Sequence, residues 1–363
     1  MEHVEEMTGP EGARFFTKHW TPAPTTPVRA AVLFVHGQRV ERYDHVFPKY
    51  AENGIAVFGF DQRGKSRFGK TATYTPKHSQ GVTSWPQQFA DIDFFLSHVL
   101  QLYPNVPVYL YGHSMGGALV LAYCTRTPAY PNVNRLAGVI SSSPLLRQAK
   151  GVRASGIIVK AGSWIGKLSP TLTLKAAVKP EHTCRDPVVQ KEYANDPLCK
   201  QVGTFRGVGD MLLGSRGGGQ QVVDKDYVHF PHSLPLLVVH GEGDLVTDAD
   251  SSREFVDKVT KEGVKDATYK GFPGFFHEMH NEPGEDKWTE VNYLLGWLDS
   301  HISTDTTASA TATRTQGPTP TATAAAPAAA SAATTAHSSA ITPTPTTTTT
   351  TAVAASPERD SKL

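Results

Sequence analysis

Apolar side chains recur along the first 300 residues with two periods, one typical of strands and the other of helices. Short runs rich in β-branched and aromatic residues predict strands, and apolar residues at every third or fourth position predict helices. The predicted strands are Ala13–Trp20, Val28–His36, Ile55–Phe60, Val106–Tyr111, Leu136–Ser142, Leu234–His240 and Ala267–Phe272. The predicted helices are Arg42–Asn53, Trp85–Tyr103, Asp250–Gly263 and Glu285–His301. We expect the first two strands to be adjacent.

Strands that alternate with helices predict an α/β fold with a mostly parallel central sheet and helices on both faces. The alternation fails between residues 146 and 232, so we interpret that segment as a helical cap inserted over the strand ends. Its Gly217-Gly218-Gly219 run predicts a flexible loop. We therefore predict a domain over 1–302 that carries this cap.

The composition changes near residue 303, after which Thr, Ala, Pro and Ser dominate. Such a segment buries too little apolar surface to fold, so residues 303–363 are predicted to be a disordered tail. The tail ends in Ser361-Lys362-Leu363. A Ser-Lys-Leu ending is a peroxisomal address, so we expect binding to the peroxisomal import receptor.

Charge is balanced overall, with 35 basic and 34 acidic side chains. This balance gives no indication of a nucleic-acid partner. The charge is nevertheless uneven, because no acidic residue lies between Asp93 and Glu181, and part of the cap is predicted to be basic. The cations in question are Arg147, Lys150, Arg153, Lys160, Lys167, Lys175 and Lys179.

The three cysteines, Cys124, Cys184 and Cys199, lack metal-ligand spacing and cannot build a secreted disulfide framework. The acidic start of the chain has no apolar core, so no secretory signal is expected, and no apolar run is long enough to span a membrane. We expect a soluble protein in a reducing compartment, with no cofactor and no metal.

The Gly112-His113-Ser114-Met115-Gly116 stretch separates a strand from a helix. Two glycines around a serine permit the sharp turn that exposes a strained nucleophile above a sheet. Without its context this pattern is common, but here an acid and a histidine follow in the expected order. We predict Ser114 as the nucleophile. We also predict the Met115 N–H, at the helix start, as one oxyanion donor.

A serine nucleophile needs a base and an acid that orients the base. Asp244 lies on a turn after the predicted strand Leu234–His240, whereas Asp248 and Asp250 are better suited to starting the next helix. His277 lies on a loop before the last helix, and we prefer it as the base over His280.

The second oxyanion donor is expected after the strand Val28–His36, from the N–H of Gln38. His36 and His113 are interpreted as structural residues that hydrogen-bond the loops around this site.

One cap segment has an apolar face with two interpretations. This face consists of Ile157, Ile158, Ala161, Trp164, Ile165 and Leu168. The favoured interpretation is packing against the sheet or across an acyl channel. The alternative is an interfacial helix that touches an anionic lipid surface.

Several motifs together resemble the monoacylglycerol lipases of the α/β-hydrolase superfamily, close to the fungal and plant serine aminopeptidase S33-type hydrolases, over roughly residues 10–300. The motifs are His36-Gly37, Arg42-Tyr43-Asp44-His45-Val46-Phe47, Phe60-Asp61-Gln62-Arg63-Gly64, Gly112-His113-Ser114-Met115-Gly116-Gly117, Asn195-Asp196-Pro197-Leu198 and His277-Glu278-Met279-His280-Asn281-Glu282. The segment between His36-Gly37 and Arg42-Tyr43 is shorter than in the family pattern.

The resemblance implies a catalytic triad of Ser114, Asp244 and His277, and a lipophilic cap that guides a single acyl chain. It implies hydrolysis of monoacylglycerols to glycerol and fatty acid through an acyl-enzyme. Two alternatives stay open. One keeps the triad but takes a lysophospholipid or an acyl-CoA thioester; the other is a catalytically dead lipid-binding protein, prompted by the shortened loop at Gln38.

Overall fold

Eight strands form one mostly parallel sheet in the computed structural model, which describes residues 1–37, 39–63, 83–169, 171–175, 178–199, 202–213 and 218–313. Two further short strands pair in the cap. Gln38, Gly217 and the Ser361–Leu363 ending lie outside the described residues. The strands are β1 (Glu2–Thr8), β2 (Arg14–Trp20), β3 (Ala30–Val35), β4 (Ile55–Phe60), β5 (Val108–His113), β6 (Gly138–Ser142), β7 (Thr173–Lys175), β8 (Val202–Thr204), β9 (Leu236–Gly241) and β10 (Ala267–Phe272).

The strand order in the large sheet is β1-β2-β4-β3-β5-β6-β9-β10, and all pairs from β4 to β10 are parallel. The expectation that the second and third strands are neighbours is wrong, because β4 lies between them. A crossover through a helix places β4 parallel to β3, and β2 then pairs antiparallel with the remaining edge of β4. The carboxyl ends of β3, β5, β6, β9 and β10 therefore meet at one edge.

Strand β1 was not predicted from the sequence. Six of its seven side chains are exposed, so it has no apolar alternation to mark it. It is held by main-chain pairing with β2, in a register that sets Glu2 opposite Trp20 and Thr8 opposite Arg14. Backbone pairing of this kind leaves no signal in hydrophobic periodicity.

Helices cover both faces of the large sheet. The helices are α1 (Phe47–Glu52), α2 (Trp85–Leu102), α3 (Met115–Cys124), α4 (Gly156–Leu168), α5 (Pro187–Asn195), α6 (Phe205–Leu213), α7 (Gly219–Asp224), α8 (Ala249–Glu262) and α9 (Asp286–Thr313). The core on one face includes side chains of α2, α3 and α8, and the core on the other includes side chains of α1 and α9.

The predicted helix Arg42–Asn53 is only half correct. A 3₁₀ turn covers Val40–Tyr43, and α1 begins at Phe47. Pro48 cannot donate a hydrogen bond, and its ring would clash with a carbonyl four residues earlier, so a continuous helix through this segment is blocked.

The predicted cap contains α4, α5, α6 and the β7–β8 pair, but its last part belongs to the core. Val222 and Val223 of α7 are fully buried against the main hydrophobic cluster. The described part of the glycine run is not a flexible loop, because Gly219 begins α7 and is buried. A Cβ atom on Gly219 would overlap the carbonyl oxygen of Leu145, so this close approach requires glycine.

Helix α9 continues past residue 302 to Thr313. The predicted start of the tail at residue 303 therefore falls inside a helix, while residues 314–363 lie outside the described part of the chain. The division into domain, cap and tail otherwise stays a prediction. Within the described ranges, no helix combines the length and apolar character that crossing a bilayer requires.

Candidate active site

Ser114 lies in the turn between β5 and α3, at the sheet edge where the parallel strands end. Its φ of 60° and ψ of −121° are unusual for a residue with a side chain. The turn is fixed by its backbone: the Ser114 N–H donates to the Ser142 carbonyl at 3.0 Å, and the Leu145 N–H donates to the Ser114 carbonyl at 2.9 Å. Strand β6 and the segment after it thus hold the strained turn in place.

The glycines around Ser114 allow close packing of backbone on backbone. A Cβ atom on Gly116 would overlap the Val35 carbonyl oxygen, and one on Gly112 would overlap the carbonyl of Gly116. These contacts explain physically why the sequence carries glycine on both sides of the serine.

His277 joins Ser114 to Asp244 in one hydrogen-bonded chain. Its Nε2 lies 2.8 Å from Ser114 Oγ, and its Nδ1 lies 2.8 Å from Asp244 Oδ2. Asp244 follows β9 and His277 follows β10, so neighbouring parallel strands deliver them to the same edge. The structure therefore brings together the three residues predicted as nucleophile, acid and base.

The Asp244 carboxylate is buried and accepts five hydrogen bonds. The backbone N–H groups of Val246 and Thr247 donate to Oδ1, at 2.7 and 3.0 Å. Oδ2 accepts from the Thr247 hydroxyl at 2.6 Å, from His240 Nε2 at 3.1 Å and from His277. Burial alone would raise the pKa of Asp244, but the charge of His277 and the hydrogen bonds from His240 and His277 hold it well below its usual range.

The pKa of His277 is raised above its ordinary value. Burial acts to lower it, but the charge of Asp244 and the hydrogen bond to that carboxylate outweigh burial. A base with this environment can accept the Ser114 proton and remain stabilised by Asp244 as imidazolium.

His280, the rival base in the sequence, has a different position. Its ring is buried and stacks on Tyr43 with centroids 4.5 Å apart. Neither ring nitrogen has a hydrogen-bond partner among the described residues, and burial holds the pKa of His280 well below its ordinary value. The imidazole that contacts Ser114 is that of His277.

His113 orients the backbone of His277. Its Nε2 lies 3.1 Å from the His277 carbonyl oxygen, and its Nδ1 lies 2.6 Å from the Tyr43 hydroxyl. Burial lowers the pKa of His113 to about 3. The neutral ring therefore donates from Nε2 and accepts at Nδ1, which accords with a structural role for His113.

Of the two predicted oxyanion donors, one can be described. Met115 is the first residue of α3, so its N–H has no acceptor within the helix. Gly37 lies beside the nucleophile, since a Cβ atom there would be 2.8 Å from Ser114 Cβ. Gln38 follows Gly37 but lies outside the described residues.

Four residues that support the site were not identified from the sequence as its partners. These are Tyr43, His240, Thr247 and Ser142. Thr247 lies three residues after Asp244, at a spacing that lets its hydroxyl hydrogen-bond a carboxylate within one turn. This spacing could have indicated Thr247 from the sequence.

A small cavity of 120 Å³ opens above Ser114. Its lining is mostly apolar, comes largely from the Ser114 turn and the cap, and also includes the polar side chains of Arg63, Thr83 and Gln88. The lining residues include Met115, Leu145, Val178, Val202, Val208, Met211 and Val246. A larger cleft of 640 Å³ lies between α5 and the Val40–Tyr43 turn, has a strongly charged lining and contains none of the three linked residues.

No cofactor or metal was expected. Among the described residues no group of three His, Cys, Asp or Glu side chains is arranged to hold a metal ion. His277, the first histidine of the His277–His280 pair, is engaged with Ser114 and Asp244.

Comparison with known proteins places this geometry in a family. The family model described as serine aminopeptidase, S33 matches residues 26–284. A putative monoglyceride lipase of Schizosaccharomyces pombe is 33% identical over 81% of this chain and 74% of its own length. A monoacylglycerol lipase of Mycolicibacterium smegmatis is 29% identical over 82% of this chain and 96% of its own.

The fold is also that of solved structures. A soluble variant of monoglyceride lipase from Saccharomyces cerevisiae, crystallised with a substrate analogue, matches with a TM-score of 0.69 and 23% identity over 82% of this chain and 94% of that one. The match supports the α/β-hydrolase fold. Because the family model matches residues 26–284, most of the sheet and the cap, the chain belongs to the serine aminopeptidase S33 family of α/β hydrolases.

Proposed function

We propose that this protein is a serine ester hydrolase that cleaves monoacylglycerols to glycerol and fatty acid. The observation that carries the proposal is the hydrogen-bonded chain from Ser114 through His277 to Asp244 beneath an apolar cavity. The names of the relatives from Schizosaccharomyces pombe and Mycolicibacterium smegmatis support an ester of glycerol as substrate.

The reaction begins when His277 Nε2 takes the Ser114 proton and Oγ attacks the ester carbonyl carbon. The resulting oxyanion accepts a hydrogen bond from the Met115 N–H, an interaction typically worth about 3 kcal/mol of barrier. Collapse of the tetrahedral intermediate breaks the bond to glycerol, whose oxygen takes the proton from His277. Asp244 stabilises the imidazolium throughout.

Water completes the cycle. His277 removes a proton from the water while its oxygen attacks the acyl carbon, and the second tetrahedral intermediate releases the fatty acid and reprotonated Ser114. The apolar lining of the cavity favours the acyl chain by about 0.8 kcal/mol for each methylene it buries.

The positive charge of the cap gives little support for a substrate with an anionic head group, because acidic neighbours pair with several of its cations. Arg147 pairs with Asp224 and Glu254, Lys150 pairs with Asp250, and Arg153 pairs with Asp248. Three of the seven cations are therefore neutralised by neighbouring acids. This pairing favours an uncharged monoacylglycerol over a lysophospholipid or an acyl-CoA thioester.

Lipid-surface contact by the cap helix is part of the proposal. Trp164 and Leu168 of α4 are 68% and 82% exposed, so these members of the predicted apolar face do not pack against the sheet. Lys167 lies over the Trp164 ring at 5.6 Å, which places a cation beside the apolar patch. Exposed aromatic and aliphatic groups next to a cation suit an anionic lipid interface.

A peroxisomal location is also proposed, supported by Ser361-Lys362-Leu363. The test is a fluorescent N-terminal fusion of the full chain with and without these three residues. Punctate signal that depends on them supports import, and diffuse signal in both cases refutes it.

Purified protein assayed against monoacylglycerol, lysophospholipid and acyl-CoA tests the substrate. We expect the highest kcat/KM for monoacylglycerol, and inactivity toward it would remove the proposal. Labelling by a fluorophosphonate probe separates an enzyme from a dead lipid-binding protein, since label must appear on the wild type and disappear in Ser114→Ala. Label that survives this substitution would refute Ser114 as the nucleophile.

A further inference from the structure

A buried acid lies beneath the site with no part in the reaction described above. Glu290 of α9 is 0% exposed, and its Oε1 accepts a hydrogen bond from Ser142 Oγ at 2.6 Å. Its Oε2 has no hydrogen-bond partner among the described residues. The phenols of Tyr43, Tyr50 and Tyr111 are close enough for this carboxyl to influence their pKa values, and the pKa of all three is raised mainly by burial. Among the residues that the structure describes, no cation is paired with Glu290.

Burying a carboxyl that has one hydrogen bond and no cation beside it costs free energy. The presence of Glu290 at this position therefore requires a reason. Burial raises the pKa of Glu290 to about 7. Whether it is protonated or ionised, a carboxyl oxygen remains to accept the Ser142 proton. The Ser142 hydroxyl has a single proton, and its bond to Glu290 therefore fixes the side chain at the end of β6.

The backbone of Ser142 and Ser143, at the end of β6, contacts the Ser114 turn on one side and Thr247, the neighbour of Asp244, on the other. The Ser142 carbonyl accepts from the Ser114 N–H at 3.0 Å. The next residue, Ser143, has a φ of 43°, and its carbonyl oxygen lies 3.2 Å from the Thr247 hydroxyl oxygen. That hydroxyl contacts Asp244. A shift at the end of β6 would therefore displace the nucleophile turn and the acid together.

We propose that Glu290 is a positioning residue, which anchors Ser142 and so fixes the backbone that holds Ser114 at one end and Thr247 at the other. It acts through Ser142 and does not touch the substrate. This inference rests on the proposed function, because it assigns Glu290 a part in making Ser114 reactive.

The test measures the rate at which a fluorophosphonate labels Ser114, together with kcat and KM. Glu290→Leu and Ser142→Ala each remove the anchor, and we expect each to slow labelling and lower kcat about tenfold with little change in KM. The double variant is expected to be no slower than the slower single one, because both changes break the same bond. Glu290→Gln keeps an accepting oxygen and is expected to recover most of the rate.

Leu294→Ala is the matched control, since Leu294 is also buried on α9 but lies in the apolar cluster. It should lower the melting temperature without slowing the labelling of folded protein. A wild-type labelling rate in folded Glu290→Leu, or losses that multiply in the double variant, would overturn the inference. If Glu290→Leu does not fold, Ser142→Ala decides the question alone. A wild-type labelling rate in Ser142→Ala refutes the anchor. Wild-type protein that takes no label at all refutes the proposed function, and this inference falls with it.

Discussion

The Thr247 hydroxyl lies 2.6 Å from Asp244 Oδ2, so the acid of the proposed triad is held by a residue three positions later in its own turn. The Thr247 hydroxyl oxygen also lies 3.2 Å from His277 Nδ1 and 3.2 Å from the Ser143 carbonyl oxygen. Thr247 therefore lies where the turn after β9, the histidine loop and the end of β6 converge. Its hydroxyl restricts how the carboxylate can face the imidazole.

Thr247→Val keeps the shape of this side chain and removes its hydroxyl. Since a hydrogen bond to a charged group is worth about 1.5–3 kcal/mol, we expect kcat to fall at least about tenfold while the fold is retained. Steady-state kinetics on monoacylglycerol measure this loss. Thr247→Ser keeps the hydroxyl and is the control; equal rates in the valine and serine variants would contradict the role.

Asp244→Asn tests the acid and the pH dependence together. His277 must be neutral to accept a proton, and its pKa is raised above 6.5, mainly because the charge and hydrogen bond of Asp244 outweigh burial. Activity of the wild type should therefore rise with pH through a midpoint above 6.5. In Asp244→Asn we expect kcat to fall by about 10⁴ and the midpoint to move to lower pH.

The measurement is kcat/KM of the free enzyme across pH, with the melting temperature followed at each pH to exclude unfolding. A wild-type midpoint below 6.5, or the same midpoint in the variant, would show that Asp244 does not control the base.

The three linked residues could be named from the sequence because each follows a strand of the predicted strand–helix alternation. Ser114, Asp244 and His277 come after β5, β9 and β10, and parallel strands end at a common edge, so chain order alone indicates their proximity. Their catalytic roles stay predictions, but the hydrogen bonds between them are in the structure.

Other features leave no such pattern. Strand β1 is polar and defined by pairing, and the neighbours of β2 depend on which edge remains free after β3 and β4 pair. Glu290 looks like an ordinary polar position on an amphipathic helix, and only the packing of α9 shows that it is buried. The apolar face with Trp164 and Leu168 is visible in the sequence, but its exposure depends on which face of α4 meets α6.

Tyr43→Phe tests the support of the histidine loop. The phenol is the donor to His113 Nδ1, so its removal leaves a buried acceptor unpaired and should lower the free energy of unfolding by about 1–3 kcal/mol. Denaturant unfolding measures the loss. Because the contact acts on the His277 backbone through His113, we also expect a smaller decrease in kcat than Thr247→Val causes. Wild-type stability in Tyr43→Phe would refute the assignment.

Glu290 predicts an unusual pH dependence of stability. Its pKa is raised by burial from 4.5 to about 7, so below pH 4.5 the carboxyl is protonated in both folded and unfolded chains. Between pH 4.5 and 7 only the unfolded chain loses the proton, and this group should lower the free energy of unfolding by up to about 1.4 kcal/mol per pH unit. Urea unfolding at several pH values should show that Glu290→Gln lacks this decrease and Leu294→Ala keeps it. Parallel curves for wild type and Glu290→Gln would contradict it.

The exposed apolar face of α4 predicts binding to anionic lipid. Packing of α4 on α6 uses the opposite face, where a Cβ atom on Gly166 would lie 2.6 Å from the Arg206 backbone nitrogen, so Trp164 and Leu168 are directed away from the protein. Replacing both with Ser should weaken binding to vesicles that contain anionic lipid about tenfold or more, since each loses apolar area that the interface would bury. Vesicle co-sedimentation measures this, and hydrolysis of a short-chain ester in solution should be unchanged. Val188→Ser is the control, because Val188 is 63% exposed on α5. An equal loss of binding in Val188→Ser, or none in the double variant, would show that α4 does not contact the lipid.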